Sequence, residues 1–273
     1  MLAARTAPCE KEEAMKAILL AAGYATRLRP LTNTVAKPLL PLAGRPMVDY
    51  IYDKIAEVPA VDAVHVVTNA KFASGFSAWA GGHRGRVPIY VHDDKTTSNE
   101  DRLGAIGDIR FTIADGKLEG QDLLICAGDN LFDYSLNDYV TYWQSKGEAS
   151  CLAVYQCENI ELVKQYSIVE LDPKDRITSF IEKPKNPTTN LVGTATYIYH
   201  RNHVAMLERY LAEGNSPDQP GNLVAWLHKR VPVYAYRFSG GWFDIGNQNE
   251  LLQADNLMRA RRGLPPRSEY RLD

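Results

Sequence analysis

Residues 20–41 read LAAGYATRLRPLTNTVAKPLLP, and this stretch decides how the rest of the chain is understood. An apolar run ends in two alanines and Gly23. The chain then enters a loop carrying Thr26, Arg27, Pro30 and Lys37. Small residues after a strand let backbone amides come close to phosphate oxygens, and an Arg and a Lys add positive charge there. Other phosphate motifs do not fit. The GxxxxGK[ST] loop is absent, and a GxGxxG fingerprint fails because only one Gly occurs and Pro30 interrupts the helix that should follow. An isolated Arg or Lys is ordinarily a solvated surface charge. Two cations framed by LAAG and KPLLP point instead to a phosphate-binding loop.

Outward from this loop the chain alternates strands with helices. Residues 16–22 (KAILLAA) form a continuous apolar run after the lysine, as expected of a strand buried on both faces. Helical patterns at 47–55, 72–80 and 102–113 alternate with strands at 63–68, 89–91 and 122–126, the last running into Gly128-Asp129-Asn130. Such alternation predicts a parallel sheet with right-handed crossovers, and nucleotides bind beyond the carboxyl ends of its strands. The second half is richer in strands, at 150–155, 167–171, 177–181, 191–199 and 231–236, with helices at 204–212 and 223–229. A final helix is expected over 247–261. The fold class is therefore α/β: a single mixed, mostly parallel sheet flanked by helices, with a β-rich half suited to an acceptor substrate.

Composition narrows the function. The chain has 273 residues, 45% hydrophobic and 23% charged, and its 31 basic and 33 acidic side chains leave a net charge of −2. This balance argues against a nucleic-acid partner, which needs a basic face. No apolar run of about 18 residues suggests a membrane span. The four cysteines do not form a secreted disulfide framework, so a reduced, cytoplasmic protein is expected. Residues 1–14 read as a loose tail, with Met15 able to serve as a start, and 263–273 as a C-terminal tail. The domain is expected over 15–262.

The 20–41 segment resembles the signature of the sugar-1-phosphate nucleotidyltransferases, the nucleotide-sugar pyrophosphorylases such as the glucose-1-phosphate thymidylyltransferases. Their pattern LAAGxGTRLxPLTxxxxKPLLPxxGxPM continues here through Ala43-Gly44-Arg45-Pro46-Met47, with Ala25 in place of the second glycine. Leu103-Gly104-Ala105-Ile106-Gly107 resembles the family's turn beside the base. Gly128-Asp129-Asn130 resembles its metal-site turn, Glu182-Lys183-Pro184 its EKP, and residues 241–246 (GWFDIG) its GxWxDxG. The resemblance spans most of 15–262 and implies a Rossmann-like nucleotidyltransferase core.

It also implies roles. Ala22, Gly23, Thr26 and Gly104 would bind the nucleotide. Arg27 would hold the β- and γ-phosphates and the leaving pyrophosphate, and Lys37 would sit between the α-phosphate and the attacking phosphate. Asp129 and Asp244 would carry Mg²⁺, which needs only one or two carboxylates beside phosphate and water. Taken alone, either aspartate would read as a turn or helix cap. Glu182 would meet sugar hydroxyls and Lys183 the sugar phosphate; in extended structure the two side chains point to opposite faces. The expected partners are an NTP and a sugar 1-phosphate, and since the family commonly forms dimers or tetramers, a homo-oligomer is an open expectation.

Departures from the family blur the acceptor. Ser167 and Ala195 stand where the family often has glycines that let the sugar lie against the backbone, and Gly193 is the candidate to compensate. A hexose or a cyclitol phosphate both fit. In the family's thymidylyltransferases a glutamine near the end of the strand before the base turn reads the pyrimidine. Laying 89–91 on that strand puts Asp93 there, with Asp94 beside it and Asn99 further on. A carboxylate only accepts hydrogen bonds, and guanine offers it two donors while thymine offers one flanked by carbonyls. GTP is therefore expected over dTTP and UTP. Two other classes compete: a catalytically silent regulatory homologue, and a nicotinamide-dependent oxidoreductase. Arg27, Lys37, Asp129 and Asp244 together oppose the first, and the missing GxGxxG opposes the second.

The paired histidines His200 and His203 lack further ligands for zinc. The arginines at 259, 261, 262 and 267 favour the end of the last helix.

Overall fold

The computed structural model describes residues 14–272. The first element, β1 (Met15–Leu20), lies between β4 (Val61–Thr68) and β6 (Asp122–Ala127) and is parallel to both. Its side chains alternate. Ala17 and Leu19 enter one apolar layer and Ile18 the other, all fully buried. Between β1 and β4 come the two-residue strands β2 (Pro41–Leu42) and β3 (Arg45–Pro46), then α1 (Met47–Ala56). Next follow α2 (Ala73–Gly82), β5 (Ile89–Asp93) at the sheet edge, and α3 (Ala105–Gly116). The strand β7 (Asn130–Phe132) and α4 (Leu136–Gln144) follow β6.

The second half adds β8 (Ser150–Gln156), α5 (Ile160–Val163), β9 (Ser167–Leu171), β10 (Ile177–Glu182) and β11 (Leu191–Tyr199). Then come α6 (Arg201–Val204), α7 (Leu207–Ala212), α8 (Gly221–Leu227), β12 (Val233–Arg237), β13 (Trp242–Asp244) and α9 (Gln248–Arg261). The main sheet runs β10-β9-β11-β6-β1-β4-β5, with β8 pairing β11 and β12. Its nucleotide half, β6-β1-β4-β5, is wholly parallel, and β11 joins it antiparallel to β6. The mixed α/β architecture expected from the sequence is present.

Helices cover both faces. α1, α2 and α4 bury Ile51, Phe76 and Tyr139 on one side, while α3, α7 and α8 bury Ile106, Tyr210 and Leu227 on the other. A third apolar cluster joins α9 (Leu251, Ala254, Met258) to Leu28, Leu40 and Met47, so the last helix buttresses the phosphate-loop segment. Asp255 accepts the backbone N–H of Ala43 at 2.6 Å in the same layer.

Several boundaries shift. The helix expected over 102–113 starts at Ala105, because Gly104 adopts φ +79°, outside helical geometry. The one expected over 204–212 splits into α6 and α7. α4 was not anticipated, although Leu136, Tyr139, Val140 and Trp143 recur at helical spacing behind the cap Ser135. Residues 263–272 lack regular structure yet pack back, with Tyr270 donating to the Pro41 carbonyl and Asn256 bracketing the Arg267 backbone. Of the expected N-terminal tail, residues 1–13 lie outside the described residues. No described helix is long and apolar enough to cross a membrane.

Candidate active site

The carboxyl ends of β1 and β6 meet at the Leu20–Ala127 pair, so the loops that follow them emerge side by side. Backbone bonds fix both loops: Gly128 N–H donates to Leu20, and Ala21 N–H to Val67, each at 2.9 Å. The buried Asn69 side chain donates to the Ala22 carbonyl at 2.8 Å. This latch was not read from the sequence. A cleft of about 500 Å³ opens there, lined by Gly23, Ala25, Arg27, Lys37, Asp129 and Gly246 among others. Arg27 is exposed and its guanidinium lies beside Gly246, where an added Cβ would sit 3.5 Å from Nη1. Thr26 opens the single helical turn at Thr26–Leu28, exposed at the loop's outer side.

Ala25 takes the left-handed conformation, φ 45° and ψ 47°. The family's glycine would adopt this freely; alanine does so at a cost of about 1–2 kcal/mol. The Ala25 carbonyl accepts Leu28 N–H at 3.0 Å and the Thr32 hydroxyl at 2.9 Å, which holds the turn.

Lys37 and Asp129 form a 2.7 Å ion pair at the cleft floor. Burial pushes Asp129 up, but the Lys37 ammonium and the hydrogen bonds from Lys37 and Asn130 outweigh it and hold Asp129 below the usual carboxylate range. Asn130 donates to Asp129 at 3.0 Å and to Asp244 at 3.2 Å, and Trp242 Nε1 fixes its carbonyl at 3.0 Å. β7 and β13 exist to make this contact, since Asn130 and Asp244 are paired across them. Asn130 and Trp242 are the site residues that single-motif reading missed. The signal was present, because each sits inside a recognised motif.

Asp244 is not the cap of α9. That role belongs to Asn247, which forms a reciprocal capping box with Glu250. Burial, then the charge of Asp129, raises Asp244 to about 6. Two carboxylates aimed into one cleft, one of them raised by the other, form a donor set of hard oxygens that fits a divalent cation.

A second cleft, about 730 Å³, shares Asp129 with the first and contains Glu182, Lys183, Gly193, Tyr166 and Asp244. Here one expectation changes. Glu182 and Lys183 do not diverge to opposite faces, because Lys183 leaves the strand with φ 46° and both residues line the same cleft. Burial raises Glu182, with Lys183 partly offsetting it. Gly193 pairs with Ser167, and a Cβ on Gly193 would lie 2.8 Å from Ser167 Oγ. The serine in place of a glycine is thus accommodated by a glycine directly across from it.

Asp93 and Gly104 lie apart from both clefts' linings. Asp93 turns its carboxylate onto Lys95, accepting its backbone N–H at 2.8 Å and its ammonium at 2.9 Å. Gly104 packs under residues 217–218, where a Cβ would come within 2.6 Å of Asp218 Cα. Its smallness is explained by that contact.

The Nucleotidyl transferase family model matches residues 16–261. The chain belongs to this family. Nucleotidyltransferase relatives include a "Bifunctional protein GlmU" from Methanocaldococcus jannaschii, 24% identical over 89% of this chain and 54% of that protein. A glucose-1-phosphate adenylyltransferase from Clostridium acetobutylicum is 27% identical, covering 88% of this chain and 66% of its own length. The chain thus spans about half to two-thirds of these curated relatives. The fold is similar to that of a UDP-glucose pyrophosphorylase complexed with UDP-glucose, with a TM-score of 0.76 at 20% identity, covering 91% of this chain and 100% of that one.

Proposed function

We propose that this nucleotidyltransferase moves a nucleoside monophosphate from an NTP to a sugar 1-phosphate or a related cyclitol phosphate, releasing pyrophosphate and an NDP-sugar. The observation that carries this reading is the meeting of two clefts at Asp129, one lined by Arg27 and Lys37 and the other by Glu182, Lys183 and Asp244. In-line attack of a phosphate oxygen on the α-phosphorus needs alignment and charge neutralisation and no protein nucleophile. Arg27, exposed at the mouth, holds the β- and γ-phosphates. Lys37 sits where the α-phosphate and the attacking phosphate converge, and Lys183 anchors the latter. Glu182, half-buried, accepts hydrogen bonds from acceptor hydroxyls. Asp129 and Asp244 would hold Mg²⁺, which when bound supplies charge neutralisation on phosphate oxygens.

Asp93 already accepts from Lys95 with each carboxylate oxygen, so the guanine preference expected from it requires those oxygens to be shared with the base or released by the lysine. Five NTPs assayed against a panel of sugar 1-phosphates and cyclitol phosphates, scored for pyrophosphate, test the proposal. Absence of pyrophosphate across the matrix with Mg²⁺ present would favour the silent-homologue reading.

A further inference from the structure

Behind the nucleotide side of the cleft runs a buried polar chain that the transfer chemistry does not use. Asp94, just past β5, and Asp108, in the first helical turn of α3, are each 7% exposed. Asp94 Oδ2 and Asp108 Oδ1 are buried without a donor. The other Asp94 oxygen accepts the Thr96 backbone N–H at 2.7 Å and the Thr96 hydroxyl at 2.8 Å. Thr96 Oγ1 meets the Tyr24 hydroxyl at 3.1 Å, and Tyr24 directly follows Gly23. The Thr96 carbonyl accepts Ala70 N–H at 3.0 Å, next to the Asn69 that latches Ala22. The chain therefore ties α3 and β5 to the glycine loop from behind.

Asp94 and Asp108 are side-chain neighbours, and the buried oxygens Asp94 Oδ2 and Asp108 Oδ1 have no other partner. Two such carboxylates resist ionising together without a cation, whereas one shared proton lets them form an oxygen-to-oxygen hydrogen bond. The leading charges acting on this cluster are acidic, Asp93 on Asp94 and Asp101 on Tyr24, with the exposed Lys95 ammonium turned to Asp93 at 2.9 Å. From β4 the nearby buried group is the uncharged Thr68 hydroxyl, itself without a partner. On α3, Arg110 is turned to Glu208 at 2.7 Å. His65, His92 and Asp115 form a hydrogen-bonded group of their own: Asp115 lies about 10 Å along α3 from Asp108, while His92 lies on β5 two residues before Asp94 and is turned to Asp115 and His65.

We propose that Asp94 and Asp108 are positioning residues that share one proton and thereby hold Thr96 and Tyr24 against the glycine loop, so that nucleotide affinity depends on that proton. Burial, and then the charge of Asp94, raises Asp108 to about 8, so the proton is present near neutrality and leaves in mild alkali. The inference rests on the nucleotidyl-transfer reading for its kinetic readout, and the sign of the stability effect gives a second, independent one. A carboxyl raised in the folded state binds a proton that the unfolded chain has already lost. Stability is therefore lost as pH climbs from the ordinary carboxylate range through the raised value.

The test compares the wild type with Asp108→Asn, whose amide donates to Asp94 at every pH, using whichever of the five NTPs turns over fastest. Between about pH 7 and about pH 9.5 the wild-type KM for that NTP should rise roughly tenfold while kcat changes little, and the variant should stay within about twofold. Tm should fall by about 3 °C more in the wild type than in the variant over the same range. Asp94→Asn, which removes the second of the two causes that raise Asp108 and leaves its burial, should shrink the pH dependence of both profiles without abolishing it, and serves if Asp108→Asn fails to fold. Equal alkaline rises in KM with parallel Tm curves would overturn the shared proton and leave the transfer reaction standing. If no NTP releases pyrophosphate, the reaction reading fails and the Tm curves alone decide: divergence supports the pair, parallel curves overturn it.

Discussion

The two halves of the cleft are built differently. On the nucleotide side, charged groups ride on irregular loops that leave parallel strands β1 and β6, and backbone bonds at Leu20 and Val67 with the Asn69 side chain at Ala22 fix those loops. On the acceptor side, the groups stand on or just beyond antiparallel strands, and the cleft floor is set by cross-strand neighbours such as Ser167 and Gly193. Phosphate is bound by charge and backbone amides, which one contiguous loop can supply. An acceptor is bound by shape, which needs residues from several strands. The halves meet at Asp129, Asn130 and Asp244, and breaking that seam should have the largest effect.

Asp129→Asn and Asp244→Asn should each lower Mg²⁺-dependent turnover by about 10³, if the cation supplies several kcal/mol of charge stabilisation. Their stabilities should diverge. Asp129→Asn leaves Lys37, 7% exposed, without its counter-ion and should cost about 1–3 kcal/mol after allowing for solvent at the carboxylate. Asp244→Asn removes a like charge and should leave stability unchanged or slightly higher. Kinetics against Mg²⁺ concentration, with urea melts, check both; activity lost in only one variant would break the two-carboxylate site. Next in size, Arg27→Ala should lower kcat by about 10²–10³ with acceptor KM little changed, since its charge is needed where pyrophosphate departs. Near wild-type turnover would remove Arg27 from the mechanism.

The same contrast explains what the sequence could reveal. Gly23, Arg27 and Lys37 were legible because one 22-residue stretch carries them all. Asp129 was legible because a buried strand delivers it. Asn130 lay in plain view but had no reading, since its amide matters only through the β7–β13 pairing that sets it between two aspartates. The Ser167–Gly193 exchange and the shared side of Glu182 and Lys183 depend on register and on one left-handed residue. Gly193 was legible as the compensating glycine, but its place directly across from Ser167 and the side taken by Lys183 are encoded by neither periodicity nor motif. Asp93 gains a competing reading for a local reason: a lysine two residues on pairs with its carboxylate.

The acceptor floor gives a smaller effect with a built-in control. Gly193→Ala places a methyl 2.8 Å from Ser167 Oγ and 3.1 Å from Leu152 Cδ2, an overpacking that should cost about 1–3 kcal/mol and raise acceptor KM several-fold. Adding Ser167→Gly should recover much of both, because the first of the two clashes disappears. A double-mutant cycle on Tm and acceptor KM measures the coupling. Additive losses would mean that serine and glycine do not compensate one another and that the floor is set elsewhere.

The smallest expected effect is the most pointed, because it asks whether strand ends on the nucleotide side read the base at all. Asp93 closes β5, and its carboxylate accepts both the N–H and the ammonium of Lys95, a residue held at φ 67°. A carboxylate so engaged stabilises a turn, and its two oxygens are not presented together to a guanine edge. Asparagine keeps the acceptor for the Lys95 N–H and loses only an exposed ion pair, worth about 1 kcal/mol or less. Asp93→Asn should therefore leave the ratio of kcat/KM for GTP over dTTP within about twofold of wild type. By contrast, a buried donor–acceptor mismatch at the base shifts such ratios by about 10⁴. A shift of tenfold or more toward dTTP would show that Lys95 releases the carboxylate when nucleotide binds, and would return Asp93 to the base.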